Sequence, residues 1–343
     1  MAIFRASAAD EKGNVVFTEE GLITEALSEA QAVKNNGGVV LCQVKKILPS
    51  DTIRPYNVIV PAVLIDGIIV DPNQRMSMKT EENPFMSGNA VGEREACQVV
   101  LQDNRKVMAK RAAAELKKGD IVNLGFGVPA GVGNVLYESG QEDRVVLSLE
   151  QGIIDGVPAT GTDFGIAFNP GAILCETNQF DWYDGGGLDT AVLSFAEFDE
   201  KGNVNVSCFG GRINGIGGFI NISQGAKKCN FYRNLYCFWS AGKNCDDGKL
   251  TILQEGKFKK IKKQVEQISF SGEVASKKGQ QVLFVTERAV FKLKNGKVVL
   301  TEIAPGVNLE RDILAHMEFV PEISESLKEM DSHFYEDIPY PFA

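Results

Sequence analysis

The hexapeptide DEKGNV occurs twice, at residues 10–15 and 199–204, and this recurrence constrains the fold more than any other feature of the chain. The offset is 199 − 10 = 189 positions. Each copy sits between apolar runs, AIFRASAADEKGNVVF in the first and AVLSFAEFDEKGNVNV in the second. Apolar residues on both sides of a Gly-Asn pair predict strand, turn, strand. Downstream the likeness is looser but keeps its order. AQAVKNNGGVVLCQV resembles NISQGAKKCNFYRNL, and NVIVPAVLIDGIIVD resembles QVLFVTERAVFKLKN. A repeat of this length predicts two domains of one fold. That suits 343 residues, too many for one ordinary core.

Between the copies, NQRMSMKTEENPFMSGNAVGERE is polar and contains Pro84 and Gly88, so it reads as a linker. The expected boundaries are 1–72 for the first domain, 73–105 for the linker and 106–343 for the second domain. NRKVMAKRAAAELKKGD predicts an amphipathic helix stopped at Gly119. IVNLGFGVP and RVVLSLEQG each predict a strand running into a glycine turn. Strands alternating with helices point to an α/β fold with a largely parallel sheet. VFKLKNGKVVL predicts a hairpin on Asn295-Gly296. NLERDILAHM predicts a helix capped by Asn308. The closing SESLKEMDSHFYEDIPYPFA fits a loose tail or a docking segment. A long segment from near Val107 to Glu197 precedes the second copy inside its domain, but only nine residues precede the first. The first domain is therefore expected to begin in mid-fold, without counterparts of the glycine turn and the LEQG strand.

Charge narrows the function. The formal net charge is -9, so long-range attraction to nucleic acid or an anionic membrane surface is not expected. No apolar run approaches the ~18 residues of a membrane span, and MAIFRASAADEKG lacks a secretory pattern. The seven cysteines are odd in number and form no CxxC, which fits reduced thiols in the cytoplasm. Only His316 and His333 are present, so a two-histidine metal site would need both, and no metal is expected. His316 reads as a structural helix residue. Chemistry in this chain is expected to rest on carboxylates and backbone groups.

Four glycine-rich stretches and one carboxylate are candidates. In NLGFGVPAG, Gly125, Gly127 and Ala130 satisfy the dinucleotide pattern G-x-G-x-x-[GA], which fits a phosphate cradle or a plain turn. The acid that a nicotinamide site requires would be Glu142 or Asp143, in the loop-like ESGQED. Glu150 ends an apolar strand and precedes Gly152 and Gly156; it could be a base, a nucleophile or a turn acid. FDWYDGGGLD offers Phe180, Trp182 and Tyr183 as pocket walls beside Gly185 to Gly187. FGGRINGIGG can aim several N–H groups at one oxygen, and its flanks Ile213, Ile216 and Phe219 argue against full exposure.

Taken in order, these motifs resemble the catalytic domain of the family I coenzyme A-transferases, in particular the single-chain acetate/propionate type, from about Ala2 to Ile323. Glu150-Gln151-Gly152 matches the family's Glu-Ser/Asn-Gly, and Gly215-Ile216-Gly217-Gly218 its Gly-x-Gly-Gly. Gln151 and Asp155 depart from the usual residues. The resemblance implies two related open α/β/α domains, the first incomplete. It implies Glu150 as nucleophile and the Gly218 N–H as oxyanion donor. Gly125, Phe126, Gly127, Val128, Gly186, Asn214 and Gly217 would line the coenzyme A site, with Phe126 and Trp182 excluding water. It also implies acyl-CoA and a short-chain carboxylic acid as substrates, no permanently bound cofactor, and either a homo-oligomer or a second chain supplying the missing half-domain. An acyl-CoA hydrolase and a subunit inactive without its partner are the other readings.

Overall fold

The computed structural model of the chain describes residues 1–92, 102–237 and 243–342. In chain order the principal elements begin with β1 (Ala2–Asp10), β2 (Val15–Val16), α1 (Ala26–Asn35), β3 (Val40–Leu48) and β4 (Gly67–Val70). Next come α2 (Asn104–Ala113), β5 (Ile121–Leu124), α3 (Gly131–Glu138), β6 (Val146–Leu149), β7 (Ile153–Ile154), β8 (Ala172–Ile173) and α4 (Glu176–Asp184). Then follow β9 (Thr190–Ser194), β10 (Glu197–Asp199), β11 (Val204–Asn205), α5 (Phe219–Gly225) and β12 (Lys228–Tyr232). The last are α6 (Gly272–Lys278), β13 (Gln281–Val285), β14 (Ala289–Lys294), β15 (Lys297–Ile303) and β16 (Glu322–Glu329). No described helix is long and apolar enough to cross a membrane.

Packing divides the chain into two compact units: Met1–Cys97 with Ser148–Asp181, and Gln98–Leu147 with Trp182–Ala343. Segment 148–181, placed in the second domain by sequence, groups with the first unit. Part of the expected linker packs there too. Met76 and Met86 are buried in a small core with Ala159 and Ile166. The Thr80 hydroxyl donates to Asp163 at 2.7 Å, and Gly92 N–H donates to Asn169 at 2.8 Å. The remainder of that stretch, 93–101 with Cys97, lies outside the described residues.

The first unit holds a sheet in the order β2-β1-β3-β4, with β1, β3 and β4 parallel. α1 packs Ala26 and Ala30 onto Ala6, Val40, Cys42 and Val44 of this sheet. In the second unit β5, β9, β12 and β13 run parallel, and β14 and β15 continue as an antiparallel hairpin. The hairpin turns on Asn295 and Gly296, both at positive φ (51° and 76°), as the sequence predicts.

The repeat holds at the level of single hydrogen bonds. Ala2 pairs with Val40 across β1 and β3, and Ala191 with Cys229 across β9 and β12, each partner shifted by the same offset. Asp10 Oδ1 accepts from the N–H groups of Lys12 and Asn14 at 3.0 and 2.8 Å; Asp199 Oδ1 accepts from Lys201 and Asn203, both at 3.0 Å. Asn14 donates to Asp10 Oδ2 and accepts from Ala62 N–H; Asn203 donates to Asp199 Oδ2 and accepts from Gly272 N–H. Gly13 and Gly202 stand at φ +95° and +73°, a conformation open mainly to glycine. DEKGNV is thus a structural joint, tying a strand end to a segment far along the chain.

Two expectations are corrected. α2 ends at Ala113, short of Gly119, and it is buried on nearly every side instead of being amphipathic. Arg105 is exposed, but Lys106, Lys110 and Arg111 are buried, and each has a partner. Lys106 meets Glu138 at 2.8 Å, and Arg111 holds Glu302 with two bonds of 3.0 and 2.9 Å. Lys110 Nζ donates to the carbonyl oxygen of Glu336 at 2.5 Å. That contact also settles the C-terminal stretch, which docks on α2 with Phe334 and Tyr335 buried. Asn308 does cap, accepting from Arg311 N–H at 2.9 Å, but the turns that follow are a π-turn and a 3-10 turn.

Candidate active site

β6 ends at Leu149, and the chain reverses through Glu150, Gln151 and Gly152 into β7, with Leu149 facing Ile153. Gly152 N–H donates to Leu149 O at 3.0 Å, closing the turn. Only glycine fits here. Its φ is +107°, and a Cβ would lie 2.1 Å from Leu174 O. Leu174 N–H in turn donates to Gly152 O at 2.8 Å. The Glu-x-Gly spacing is therefore a backbone requirement that leaves the Glu150 side chain at the head of a locked turn.

Burial pushes the Glu150 carboxyl above its ordinary value. Gln151 donates its amide to Glu150 Oε1 at 3.3 Å, so this departure from the usual Ser or Asn keeps a donor beside the carboxylate. Asp155 stands at φ +58°, which explains why glycine suits the position. It is exposed, so solvent screens its charge.

Sequence reasoning missed the neighbours of this turn. α4 starts at Glu176, whose N–H donates to Thr24 O at 3.1 Å. Burial, a hydrogen bond shared with Glu25, and the charges of Glu25 and Glu150 push the Glu176 carboxyl up to about 8. Three residues on, Gln179 is fully buried and donates Nε2 to Leu149 O at 3.3 Å and Ile153 O at 3.4 Å. The i, i+3 spacing of Glu176 and Gln179 in ETNQFDWYD is the one sequence signal for them, beside the more conspicuous aromatics. Of these, Tyr183 is a core residue whose hydroxyl accepts from Asn123, and Trp182 packs against Gly187.

The other candidates lie in the second unit. Gly125 follows β5 and donates its N–H to Val192 O at 2.9 Å. The carbonyl of Phe126 accepts from the Ser194 hydroxyl at 3.1 Å, and its ring is exposed. Gly127 needs its positive φ of +86°, and Val128 O accepts from Gly131 N–H as the chain enters α3. Glu142 and Asp143 sit in a 3-10 turn and end no strand, against the dinucleotide pattern. Asn214 is exposed, with its N–H on Ser207 O at 2.7 Å. Gly217 has φ +54°, and Gly218 caps α5. Ile213 is largely exposed, contrary to expectation, whereas Phe219 is buried. Gly186 turns the chain ahead of β9, at the N-terminal ends of the parallel strands, whereas the 125–128 turn follows the C-terminal end of β5.

No protein-family model matches the chain. It is 44% identical over 345 residues to the caffeate CoA-transferase of Acetobacterium woodii, covering 98% of this chain and 66% of that protein. It is 30% identical over 239 residues to the acetate CoA-transferase subunit beta of Haemophilus influenzae, covering 66% of this chain and 95% of the subunit. Crystal structures of the Escherichia coli O157:H7 acyl-CoA transferase YdiF, as apoenzyme and as a thioester complex with CoA, match with TM-scores of 0.91 and 0.89 at 42% identity. They cover 99% of this chain and 65% of that one. The chain belongs to the family I coenzyme A-transferases. It spans about two thirds of the length of the single-chain relatives that it matches (66% for the caffeate enzyme).

Proposed function

We propose that the chain carries the nucleophile of an enzyme transferring coenzyme A from a short-chain acyl-CoA to a carboxylic acid. The supporting observation is the half-buried Glu150 at the head of a glycine-locked turn, in a chain 44% identical to a named CoA-transferase. The Glu150 carboxylate attacks the thioester carbonyl, the C–S bond breaks, and CoA thiolate leaves a mixed anhydride. The thiolate then attacks Cδ of Glu150, expelling the donor's carboxylate and leaving a glutamyl-CoA thioester. An acceptor carboxylate reverses both steps, and Glu150 is regenerated as a carboxylate. No proton is gained or lost, so a chain with two histidines needs no general base.

The motif resemblance assigns the oxyanion donor to Gly218 N–H, a type of contact worth about 3 kcal/mol. It assigns coenzyme A contacts to Gly125, Phe126, Gly127, Val128, Asn214, Gly217 and Gly186, the last with least support from its position in the fold. The ancestral domains are taken as 1–72 and 106–343 with 73–105 between them. The enzyme works in the cytoplasm, either as a homo-oligomer or with a second chain; the relative named as a beta subunit supports the second chain. Incubating the protein with acyl-CoA alone should add a CoA-sized mass to the peptide containing Glu150, and Glu150→Ala should abolish it. An unmodified peptide in an active preparation sinks the covalent role. Free CoA released without any acceptor acid would identify a hydrolase.

A further inference from the structure

We propose that Gln179 is a positioning residue, its side-chain amide holding the carbonyls of Leu149 and Ile153 so that the turn between them presents Glu150 in one orientation. This rests on the reading of Glu150 as nucleophile. The two carbonyls belong to the last paired residues of β6 and β7, one on either side of the Glu150 turn. A single nitrogen, Gln179 Nε2, reaches both, at 3.3 and 3.4 Å, from a side chain with no exposed surface. The helix that carries it is itself tied down. Thr24 bridges to Cys175 just before α4, and Glu176 N–H donates to Thr24 O at 3.1 Å. Leu174, on the same approach to the helix, bonds Gly152 O at 2.8 Å. The α4 N-terminus therefore grips the turn from two directions.

The turn survives loss of this grip in part, because Leu149 O keeps its bond from Gly152 N–H. What is lost is precision. Glu150 must attack a thioester, accept a thiolate at its own Cδ and then leave as a carboxylate. All three steps need the same carboxyl aligned to within a fraction of an ångström, and misplacement by ~1 Å can slow such a step about 100-fold.

The test is single-turnover formation of the CoA adduct on Glu150, followed by intact-protein mass in the full-length protein. Gln179→Leu fills the volume without a donor. Its adduct rate is expected to fall about 10–100-fold while the half-saturating acyl-CoA concentration stays within about twofold. Gln179→Glu adds a signature that a merely structural residue lacks. The neutral acid can donate to one carbonyl, whereas the ionised form repels both. Its rate is expected near wild type at low pH and to fall as the new carboxyl ionises, a limb absent from the wild-type profile. Should Gln179→Leu fail to fold, Gln179→Glu decides alone. Wild-type adduct formation with unchanged rates in the variants overturns the positioning role and spares the nucleophile. A wild-type protein that forms no adduct overturns both.

Discussion

Glu176 shows how a residue's chemistry is set by partners that the local sequence does not display. Burial, then Glu25 and Glu150, push its carboxyl from an unfolded value near 4.5 up to about 8. At neutral pH it therefore keeps its proton, and a third negative charge is withheld from the Glu150 neighbourhood. The sign for stability follows. Between pH 4.5 and about 8 the folded state holds more protons here than the unfolded state, so this group's contribution is complete below the unfolded value and is lost as pH rises through the folded one. Glu176→Gln removes that dependence. Urea denaturation at about pH 5 and pH 8.5 should show a smaller loss of stability for the variant than for wild type; equal losses would contradict the assignment. Glu150 was legible in sequence because its motif is local, Glu followed two residues later by a glycine that the backbone requires. Glu25, Glu176 and Gln179 reach the same turn only through tertiary structure.

At the scale of elements, the Glu150 hairpin and α2 mark opposite limits of sequence reading. The hairpin is dictated by one glycine. Gly152→Ala places a Cβ against Leu174 O in a backbone conformation that disfavours side chains, so a loss of about 1–3 kcal/mol is expected, with weaker formation of the Glu150 adduct. Chemical denaturation together with the mass assay checks this; unchanged stability would show that the Gly152–Leu174 approach is not tight. In sequence α2 has the Lys and Arg content of an amphipathic helix, yet Lys106, Lys110 and Arg111 are buried. Their partners come from remote elements: Glu302 on β15, Glu138 on α3 and the carbonyl of Glu336. Burial alone would raise the Glu115 carboxyl, but Arg111 and Lys228 bring it down to about 2. Arg111→Met leaves Glu302 and Glu115 without that guanidinium and should cost about 3–5 kcal/mol at pH 7. The deficit should shrink as pH falls from 4.5 towards about 2, where the wild type itself loses the stabilisation that Arg111 gives the Glu115 carboxylate. A deficit constant with pH would mean that lost packing, and not unpaired charge, dominates.

At the scale of the whole molecule, the repeat was the most legible feature and the extent of the units the least. Strand periodicity and one shared turn were enough to align β1-β3 with β9-β12, because pairing register follows the positions of the turns. Which segments pack together is a long-range outcome, and the grouping of 148–181 with 1–97 left no local trace. The shared joint gives a prediction for both units. In each, one asparagine closes the turn with its amide and accepts an N–H from a segment far downstream. Asn203 is buried and Asn14 only half-buried. Removing a buried partner leaves Gly272 N–H unsatisfied away from water and Asp199 Oδ2 with only the 3.4 Å bond from Val265 N–H, so Asn203→Ala should cost about 1–3 kcal/mol. Asn14→Ala exposes its former partners to solvent and should cost about 0.5–1.5 kcal/mol. Hydrogen exchange at Gly272 and Ala62 reads the two joints separately. Each substitution should raise exchange at its own distant amide, and more strongly at Gly272. If neither amide responds, the turn closes without its asparagine, and the repeated hexapeptide is only a surface turn.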